Sequence, residues 1–111
     1  MNNILNEVND LKKMILNSKE YIDYNNNLKL VENNKEINNI VLNITNLQKE
    51  IVKLEHKKLN AKSKEIELEE LYVKLNEYDT YREYIESSKN LNKLITNIQT
   101  NFQEFFDSLV S

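Results

Sequence analysis

Apolar residues recur along the chain at alternating spacings of three and four, which is the period of one face of an α-helix. In the first segment, for example, Ile4, Val8, Leu11 and Ile15 share a face. Polar breaks divide this pattern into segments. They predict five helices, over residues 3–17, 19–31, 34–59, 64–77 and 80–109. The sequence therefore predicts an all-α fold, a multi-helical bundle in which residues 1–111 form a single domain.

The third and fifth predicted helices carry the longest apolar stripes, and their spacing is that of a heptad seam. The candidate core or dimer-interface residues on these stripes are Ile37, Ile40, Ile44, Leu47, Ile51, Leu54, Tyr81, Tyr84, Leu91, Ile95, Ile98, Phe102 and Phe105. Ser88 is the one small polar residue inside the second stripe. The other three helices are short, so a second copy covers both stripes more readily than one monomer does. We therefore expect a homodimer or a heteromer with a paralogue.

Polar residues stand where the predicted helices begin, and they are typical N-caps because their side-chain oxygen accepts an N–H of the first turn. The predicted caps are Ser18, Asn33 or Asn34, Ser63, and Asp79 or Thr80.

The chain contains no Gly, no Pro and no Cys. Without Gly and Pro, a β-sandwich or a Rossmann-type sheet is not expected, and a glycine-rich phosphate loop cannot be present. Without Cys, disulfides, zinc ribbons and cysteine-ligated iron–sulfur clusters are excluded. The first residues do not form a signal peptide, and no run approaches the roughly 18 apolar residues of a transmembrane helix. We expect a cytoplasmic protein that does not contact the membrane.

No set of catalytic, cofactor-binding or metal-ligating residues stands out. The single histidine, His56, follows Lys53 where the Glu-x-x-His motif of di-iron bundles would require Glu. Glu65 and Glu69 share a helix face but have no histidine beside them, which favours a solvated acidic surface. The Tyr and Phe residues stand at core spacing beside acidic neighbours, which favours packing over the stacking of nucleic-acid bases. We expect a protein without enzymatic activity, cofactor or metal.

Charge is unevenly divided along the chain. Residues 33–64 hold seven Lys and three Glu, whereas residues 65–111 hold four cationic and ten acidic side chains. A candidate basic contact patch consists of Lys53, Lys57, Lys58, Lys62 and Lys64. A helical hairpin would pair these lysines with the glutamates of 65–70 at its tip; the alternative is an exposed tip that contacts RNA or another protein. The net charge of −3 argues against direct nucleic-acid binding.

Three segments stand in a recognisable order: "SKEYIDY" at 18–24, "LQKEIVKLEHKKL" at 47–59 and "LYVKLNEYDTYREYIESSKNLNKLITNIQTNF" at 71–102. Together they resemble the YlbF/YmcA family of small helical proteins of low-GC Gram-positive bacteria, which includes YheA-like members. The resemblance implies an all-helical, intertwined dimer without catalytic residues. It also implies a role beside RNase Y, since YlbF and YmcA act with YaaT as its accessory factors and influence mRNA processing, competence, sporulation and biofilm formation. Some members hold iron–sulfur clusters on cysteines, and this chain has none to carry that property.

These observations lead to one main hypothesis and two alternatives. The main hypothesis is a cytoplasmic, non-enzymatic helical adaptor that binds a second copy or a paralogue and, by resemblance, RNase Y-associated proteins. The first alternative is a coiled-coil structural subunit or a prefoldin-like chaperone subunit, against which the separate short first and second helices argue. The second is an RNA-binding accessory protein that uses the basic contact patch.

Overall fold

The structure, a computed structural model, describes residues 2–110, except for the side chains of residues 2 and 4. Residues 1 and 111 and the side chain of Ile4, which the apolar pattern placed in the first stripe, lie outside the described part. The elements are α1 (Asn2–Leu16), α2 (Lys19–Glu32), α3 (Lys35–His56), α4 (Lys62–Leu75) and α5 (Asp79–Val110). The described residues contain no strand, and the predicted all-α fold is confirmed.

The chain divides into two compact units. The first unit comprises residues 2–27 and 84–110, and the second comprises Leu28–Glu83. Both α2 and α5 therefore contribute residues to each unit. That residues 1–111 form a single domain stays a prediction.

The second unit has a hydrophobic core of its own. Its buried centre consists of Ile37, Ile40, Ile44 and Leu75, with Val31, Leu68, Leu71, Tyr78 and Tyr81 packed around it. These residues hold one face of α3 against α4. Each fully buried aliphatic side chain of this size contributes about 1.5–3 kcal/mol relative to an exposed one, so this face stabilises the helical hairpin.

Two of the helices begin at the predicted caps. Ser18 Oγ accepts the backbone N–H of Tyr21 at 3.1 Å, and Asn34 Oδ1 accepts that of Ile37 at 3.0 Å. The predicted cap at Ser63 is wrong, because α4 already begins at Lys62.

Ahead of α4, the buried Ala61 occupies the N-cap position and makes no side-chain hydrogen bond. Asn60 Oδ1 instead accepts the backbone N–H of Lys62 at 2.9 Å. The local hydrogen bond of Asn60 thus replaces the expected serine cap.

The C-terminal end of α3 is closed by a left-handed residue. Lys58 has φ 59°, and its N–H donates to the carbonyl of Glu55 at 3.0 Å, while the N–H of Leu59 donates to that of Leu54 at 2.8 Å. These two bonds form a Schellman motif, which satisfies carbonyls at a helix end. α3 consequently ends at His56, three residues before the predicted end.

The first unit buries much less. Among its described residues only Ser87 and Leu91 are buried. Ser87 Oγ donates a hydrogen bond to the carbonyl of Tyr84 at 2.9 Å, and the rings of Tyr24 and Tyr84 lie 5.7 Å apart between centroids. Ser88, the serine placed in the stripe from its spacing, is only half-buried. The inner face of α5 is therefore rotated slightly toward Ser87.

Candidate protein-interaction surface

An open apolar groove of about 660 Å³ lies between α1 and α5 within the first unit. Its lining, hereafter the α1–α5 groove, consists of Val8, Leu11, Lys12, Ile15 and Leu16 from α1 and Ile95, Ile98, Gln99, Phe102 and Gln103 from α5. Most of these side chains are aliphatic or aromatic. The groove has the size of a ligand site, but its openness to solvent and its helical walls suit a helix or an extended apolar segment better than an enclosed small molecule.

The periodicity of the two helices produces this groove. Val8, Leu11 and Ile15 lie on one face of α1, and Ile95, Ile98 and Phe102 would do so on α5 by the same spacing. None of these side chains is fully buried in the chain. Large exposed apolar patches on folded proteins mark interaction sites, because leaving them in water is unfavourable. The groove is therefore the strongest candidate interaction surface in the described residues.

Beyond the groove, the apolar stripe of α5 continues into solvent. The exposed fraction of the apolar side chains rises along the helix, from 9% at Leu91 to 47% at Phe105, 61% at Leu109 and 80% at Val110. Phe106 is also exposed, and its ring lies 5.6 Å from that of Phe102. We name residues 105–110 the aromatic end of α5. It is a second apolar surface that the described chain leaves uncovered.

The candidate core or interface residues predicted from the stripes occupy three kinds of position. Ile37, Ile40, Ile44, Ile51 and Leu91 are buried; Leu47, Leu54, Tyr81, Tyr84, Ile95, Ile98 and Phe102 are half-buried; and Phe105 is exposed. Ile37, Ile40 and Ile44 belong to the core of the second unit, and Tyr81 packs against that core. Ile95, Ile98 and Phe102 line the groove. Their participation in a dimer interface stays a prediction.

The basic contact patch lies at the end of the α3–α4 hairpin. Lys64 is half-exposed and pairs with Glu50 at 3.4 Å and with Glu67 at 3.7 Å. The other four lysines of the patch, Lys53, Lys57, Lys58 and Lys62, are exposed. Exposed ion pairs contribute about 0–1 kcal/mol, so these contacts orient the tip more than they stabilise it. Contact of the patch with RNA or with another protein stays a prediction.

Two tyrosines of the second unit, Tyr72 on α4 and Tyr78 in the connection between α4 and α5, form hydrogen bonds to side chains of α3. Tyr72 Oη accepts from Gln48 Nε2 at 2.8 Å, and Tyr78 Oη donates to a carboxylate oxygen of Glu36 at 2.8 Å. The bond to Glu36, together with desolvation and the nearby negative charge, raises the pKa of Tyr78. Burial is the main cause that raises the pKa of Tyr81. Both shifts favour the neutral phenol, which suits a structural role.

In the described part of the chain, side chains of the types used in catalysis or metal binding do not cluster. His56 is exposed, and the described residues contain no group of three His, Cys, Asp or Glu side chains that could hold a metal ion. None of the described helices is both long enough and apolar enough to span a membrane.

The comparisons with known proteins decide the family. The family model described as "Control of competence regulator ComK, YlbF/YmcA" matches residues 4–104. This chain belongs to the YlbF/YmcA family. The resemblance drawn from the three sequence segments is thereby confirmed.

A solved structure extends this YlbF/YmcA assignment to the fold. The chain is similar to Bacillus subtilis RicA, as seen in the crystal structure of RicA in complex with RicF, with a TM-score of 0.85 and 15% sequence identity. The match covers 98% of this chain and 97% of the RicA chain. At this identity the likeness shows a shared fold. No curated protein sequence matches the chain significantly.

Sequence reasoning missed half of the groove of this YlbF/YmcA protein. The residues proposed from the sequence include the α5 wall but none from α1. The missing signal was present, since Val8, Leu11 and Ile15 have the same spacing as the α5 residues. The two seams were predicted on the longest apolar stripes, and α1 is short, so its residues were not included.

Proposed function

We propose that this chain is a cytoplasmic, non-enzymatic helical adaptor, a regulatory protein of the YlbF/YmcA type that acts by binding other proteins. The observation that carries the proposal is the α1–α5 groove, an apolar surface that its own chain leaves open. Membership in a family described by its control of the competence regulator ComK supports a regulatory role. Each of these points favours protein contacts as the means of action.

The proposed partners are a second copy of the chain or a paralogue, together with RNase Y-associated proteins. The first partner is supported by the exposed apolar stripe of α5 and by RicA, a protein of the same fold that was crystallised with RicF. The second follows from what the family resemblance implies, and it would place the chain in RNA processing that affects competence, sporulation or biofilm formation.

Affinity purification from the native host tests this proposal. The bait would be the tagged parent chain, an Ile98→Asp variant that places a charge in the groove, and a Val73→Asp control that changes an exposed residue of α4 in the second unit. We expect RNase Y-associated proteins or YlbF/YmcA relatives to co-purify with the parent and with Val73→Asp, and to be lost with Ile98→Asp.

Two results would contradict the proposal. One is the absence of any such protein with the parent chain. The other is an identical set of partners for all three baits, which would separate the partners from the groove. Circular dichroism of each variant tests whether the loss of a partner reflects the loss of the helical fold.

A further inference from the structure

A second apolar surface lies on the solvent side of α3, in the second unit. Val41, Thr45, Gln48 and Val52 follow one another at spacings of four, three and four, so they share one face of the helix. Both valines are exposed, although α3 also carries the best-buried side chains of the chain. We name these four residues the outer row. Leu42, which is also exposed, widens it.

The two polar side chains of the outer row are already bonded within the chain. Thr45 Oγ1 donates to the carbonyl of Val41 at 3.0 Å, and Gln48 Nε2 donates to Tyr72 Oη at 2.8 Å. An open depression of about 450 Å³ lies against this part of α3, and its lining is predominantly apolar. The outer row therefore presents mainly apolar surface to a binding partner.

Three lysines border the outer row. Lys49, Lys53 and Lys57 stand four positions apart, so they form a second row along α3, the lysine row, and none of them pairs with an acid among the described residues. The carboxylate of Glu50 pairs instead with a lysine of α4 at 3.4 Å. Glu55 stands two positions from its nearest lysines, which places it on the far side of the helix. The lysine row thus carries positive charge that lacks a counter-charge.

We propose that the outer row and the lysine row together bind an acidic amphipathic helix from another protein. Such a helix docks its apolar face through residues spaced three and four apart, which is the spacing of the outer row. Carboxylates on the flank of the helix would meet the lysine row. From Val41 to Val52 the row is about 17 Å long, the length of three turns of a partner helix.

This surface goes beyond the proposed function, because it shares no residue with the α1–α5 groove. An adaptor that joins two different proteins needs two binding surfaces. The groove supplies one that is largely uncharged, and the two rows of α3 supply one that is apolar and basic. The two surfaces therefore select partners of different chemistry.

The chemistry of the two rows favours a protein helix over RNA. RNA binding relies on many phosphate contacts and on bases stacked against aromatic rings. The lysine row offers only three cations, and the outer row beside it contains valines in place of aromatic residues. Aliphatic side chains flanked by lysines suit the apolar face of a helix that carries glutamate or aspartate at its border.

A designed peptide tests this surface. The probe is a fluorescein-labelled helix of about 18 residues, long enough to hold helical structure in water, with Leu at spacings of three and four and Glu on both flanks. The control peptide has Gln in place of every Glu. Fluorescence anisotropy with the full chain measures both dissociation constants. We expect the acidic peptide to bind roughly tenfold more tightly, because the lysine row attracts its carboxylates.

Two substitutions with matched controls locate the binding site. Val52→Asp should weaken binding of the acidic peptide roughly tenfold, whereas Val73→Asp on α4 should not, and both valines are 63% exposed. Lys53→Glu should weaken it by a similar factor, whereas Lys74→Glu makes the same change of charge at an exposed lysine of α4 and should have no effect. Circular dichroism checks that each variant retains its helices.

Backbone amide chemical shifts of the isotope-labelled chain provide a map that needs no substitution. On addition of the acidic peptide, the changes should concentrate in residues 41–57 and at Tyr72, which bonds to the outer row. The amides of Val8 and Ile98, whose side chains line the α1–α5 groove, should not change.

Several outcomes would overturn the inference. One is the absence of binding to the acidic peptide up to roughly 1 mM, and another is equal weakening by Lys53→Glu and Lys74→Glu. Chemical-shift changes confined to the groove would assign the peptide to that surface. Tighter binding of phosphatidylglycerol vesicles, single-stranded RNA or a second copy through Val52 would replace the proposed occupant. None of these results involves Ile98→Asp in the affinity purification, so the proposed function can stand while this inference fails.

Discussion

At the scale of single residues, α3 shows how one helix divides its apolar side chains between two environments. Ile44 is buried among Ile37, Ile40 and Leu75, whereas Leu42, only two positions earlier, is 59% exposed. Both side chains are aliphatic and of equal size, so their hydrophobicity alone does not separate them. Position on the helix face decides which one stabilises the hairpin.

An Asp at each of these two positions should give opposite results. Ile44→Asp places a carboxylate in the core, where charge is poorly solvated, and should lower the free energy of unfolding by several kcal/mol. Leu42→Asp leaves its carboxylate in water and should change that free energy by less than about 0.5 kcal/mol. Urea denaturation followed by circular dichroism measures both. Equal loss in the two variants would contradict the assignment of the buried face.

The hydrogen bond between Tyr78 and Glu36 predicts how stability responds to alkali. The pKa of Tyr78 is raised in the folded chain above its ordinary value of 10.0, chiefly by this bond. The folded state thus holds the phenol proton more tightly than the unfolded state. The stabilisation is complete below pH 10 and is lost as the pH rises through the folded-state value.

The variant Tyr78→Phe should therefore lose less stability than the parent between neutral pH and pH values above about 10. Glu36→Gln should shift the phenolate absorbance titration of the protein to lower pH, because it removes the main cause of the raised pKa. Gln48→Ala serves as the control, since it removes an uncharged hydrogen-bond partner of a tyrosine and leaves Glu36 and Tyr78 in place. A parent and a Tyr78→Phe variant with the same alkaline stability profile would contradict this account.

At the scale of elements, the two ends of α3 are fixed by different devices. The start is capped by the side chain of Asn34, which occupies the extended conformation typical of an N-cap. The end relies on backbone geometry at Lys58. The first device can be read from a sequence because it depends on residue type. The second is hidden, because the glycine that usually marks it is absent.

Replacing the capping side chain should destabilise α3 by a predictable amount. Asn34→Ala removes the oxygen that accepts the Ile37 N–H and should cost about 1 kcal/mol of unfolding free energy. Asn33→Ala, one position earlier and exposed, should cost little. Thermal denaturation distinguishes the two variants. A larger loss of stability for Asn33→Ala than for Asn34→Ala would contradict the assignment of Asn34 as the cap.

Glycine at the other end of α3 should have the opposite effect. Lys58 holds a left-handed conformation that is unfavourable for any residue with a Cβ, and glycine adopts it without that cost. Lys58→Gly should therefore stabilise the chain, by about 0.5–1 kcal/mol after the entropy of the unfolded glycine is included. Lys57→Gly, at a residue with negative φ, should destabilise it. Destabilisation by both changes would contradict a strained Lys58.

The helices themselves could be predicted from the sequence, since their apolar spacing is regular and the chain lacks Gly and Pro. The five helical segments follow from that spacing together with the polar breaks between them, and the buried face of α3 follows from the spacing. Helix ends were predicted less well. Ser63 is a residue type that often caps helices, but α4 begins at Lys62, where Asn60 accepts the backbone N–H of Lys62 and Ala61 is buried. Whether Ser87 or Ser88 is buried depends on the rotation of α5 about its axis. A stripe with alternating three- and four-residue spacings does not determine that rotation.

At the scale of the whole molecule, the two units differ in how completely they bury their apolar residues. The second unit has a closed core, whereas the first buries only Ser87 and Leu91 among its described residues. The spacing of the α5 residues predicted one wall of the groove, but a stripe does not reveal which element covers it. Two uncovered surfaces on one helix, the groove wall and the aromatic end, became apparent only from burial along α5.

Because the first unit is completed by a second copy in our proposal, the stability of the chain should depend on its concentration. Association adds stability by mass action, so a dimer that unfolds to two separate chains melts higher as concentration rises. With an unfolding enthalpy of about 0.7 kcal/mol per residue, a tenfold increase should raise Tm by roughly 3 °C. Differential scanning calorimetry over a hundredfold range of concentration measures this dependence.

The variant Ile95→Asp isolates the contribution of the groove to that dependence. Ile95 lines the groove and is only half-buried within one copy, so the charge should disturb a second copy bound there more than the fold of the single chain. We expect this variant to melt at a Tm that no longer changes with concentration, while Val73→Asp retains the parent behaviour. A parent Tm independent of concentration would indicate a monomer. A concentration dependence unchanged in Ile95→Asp would place the dimer contact on another face of the molecule.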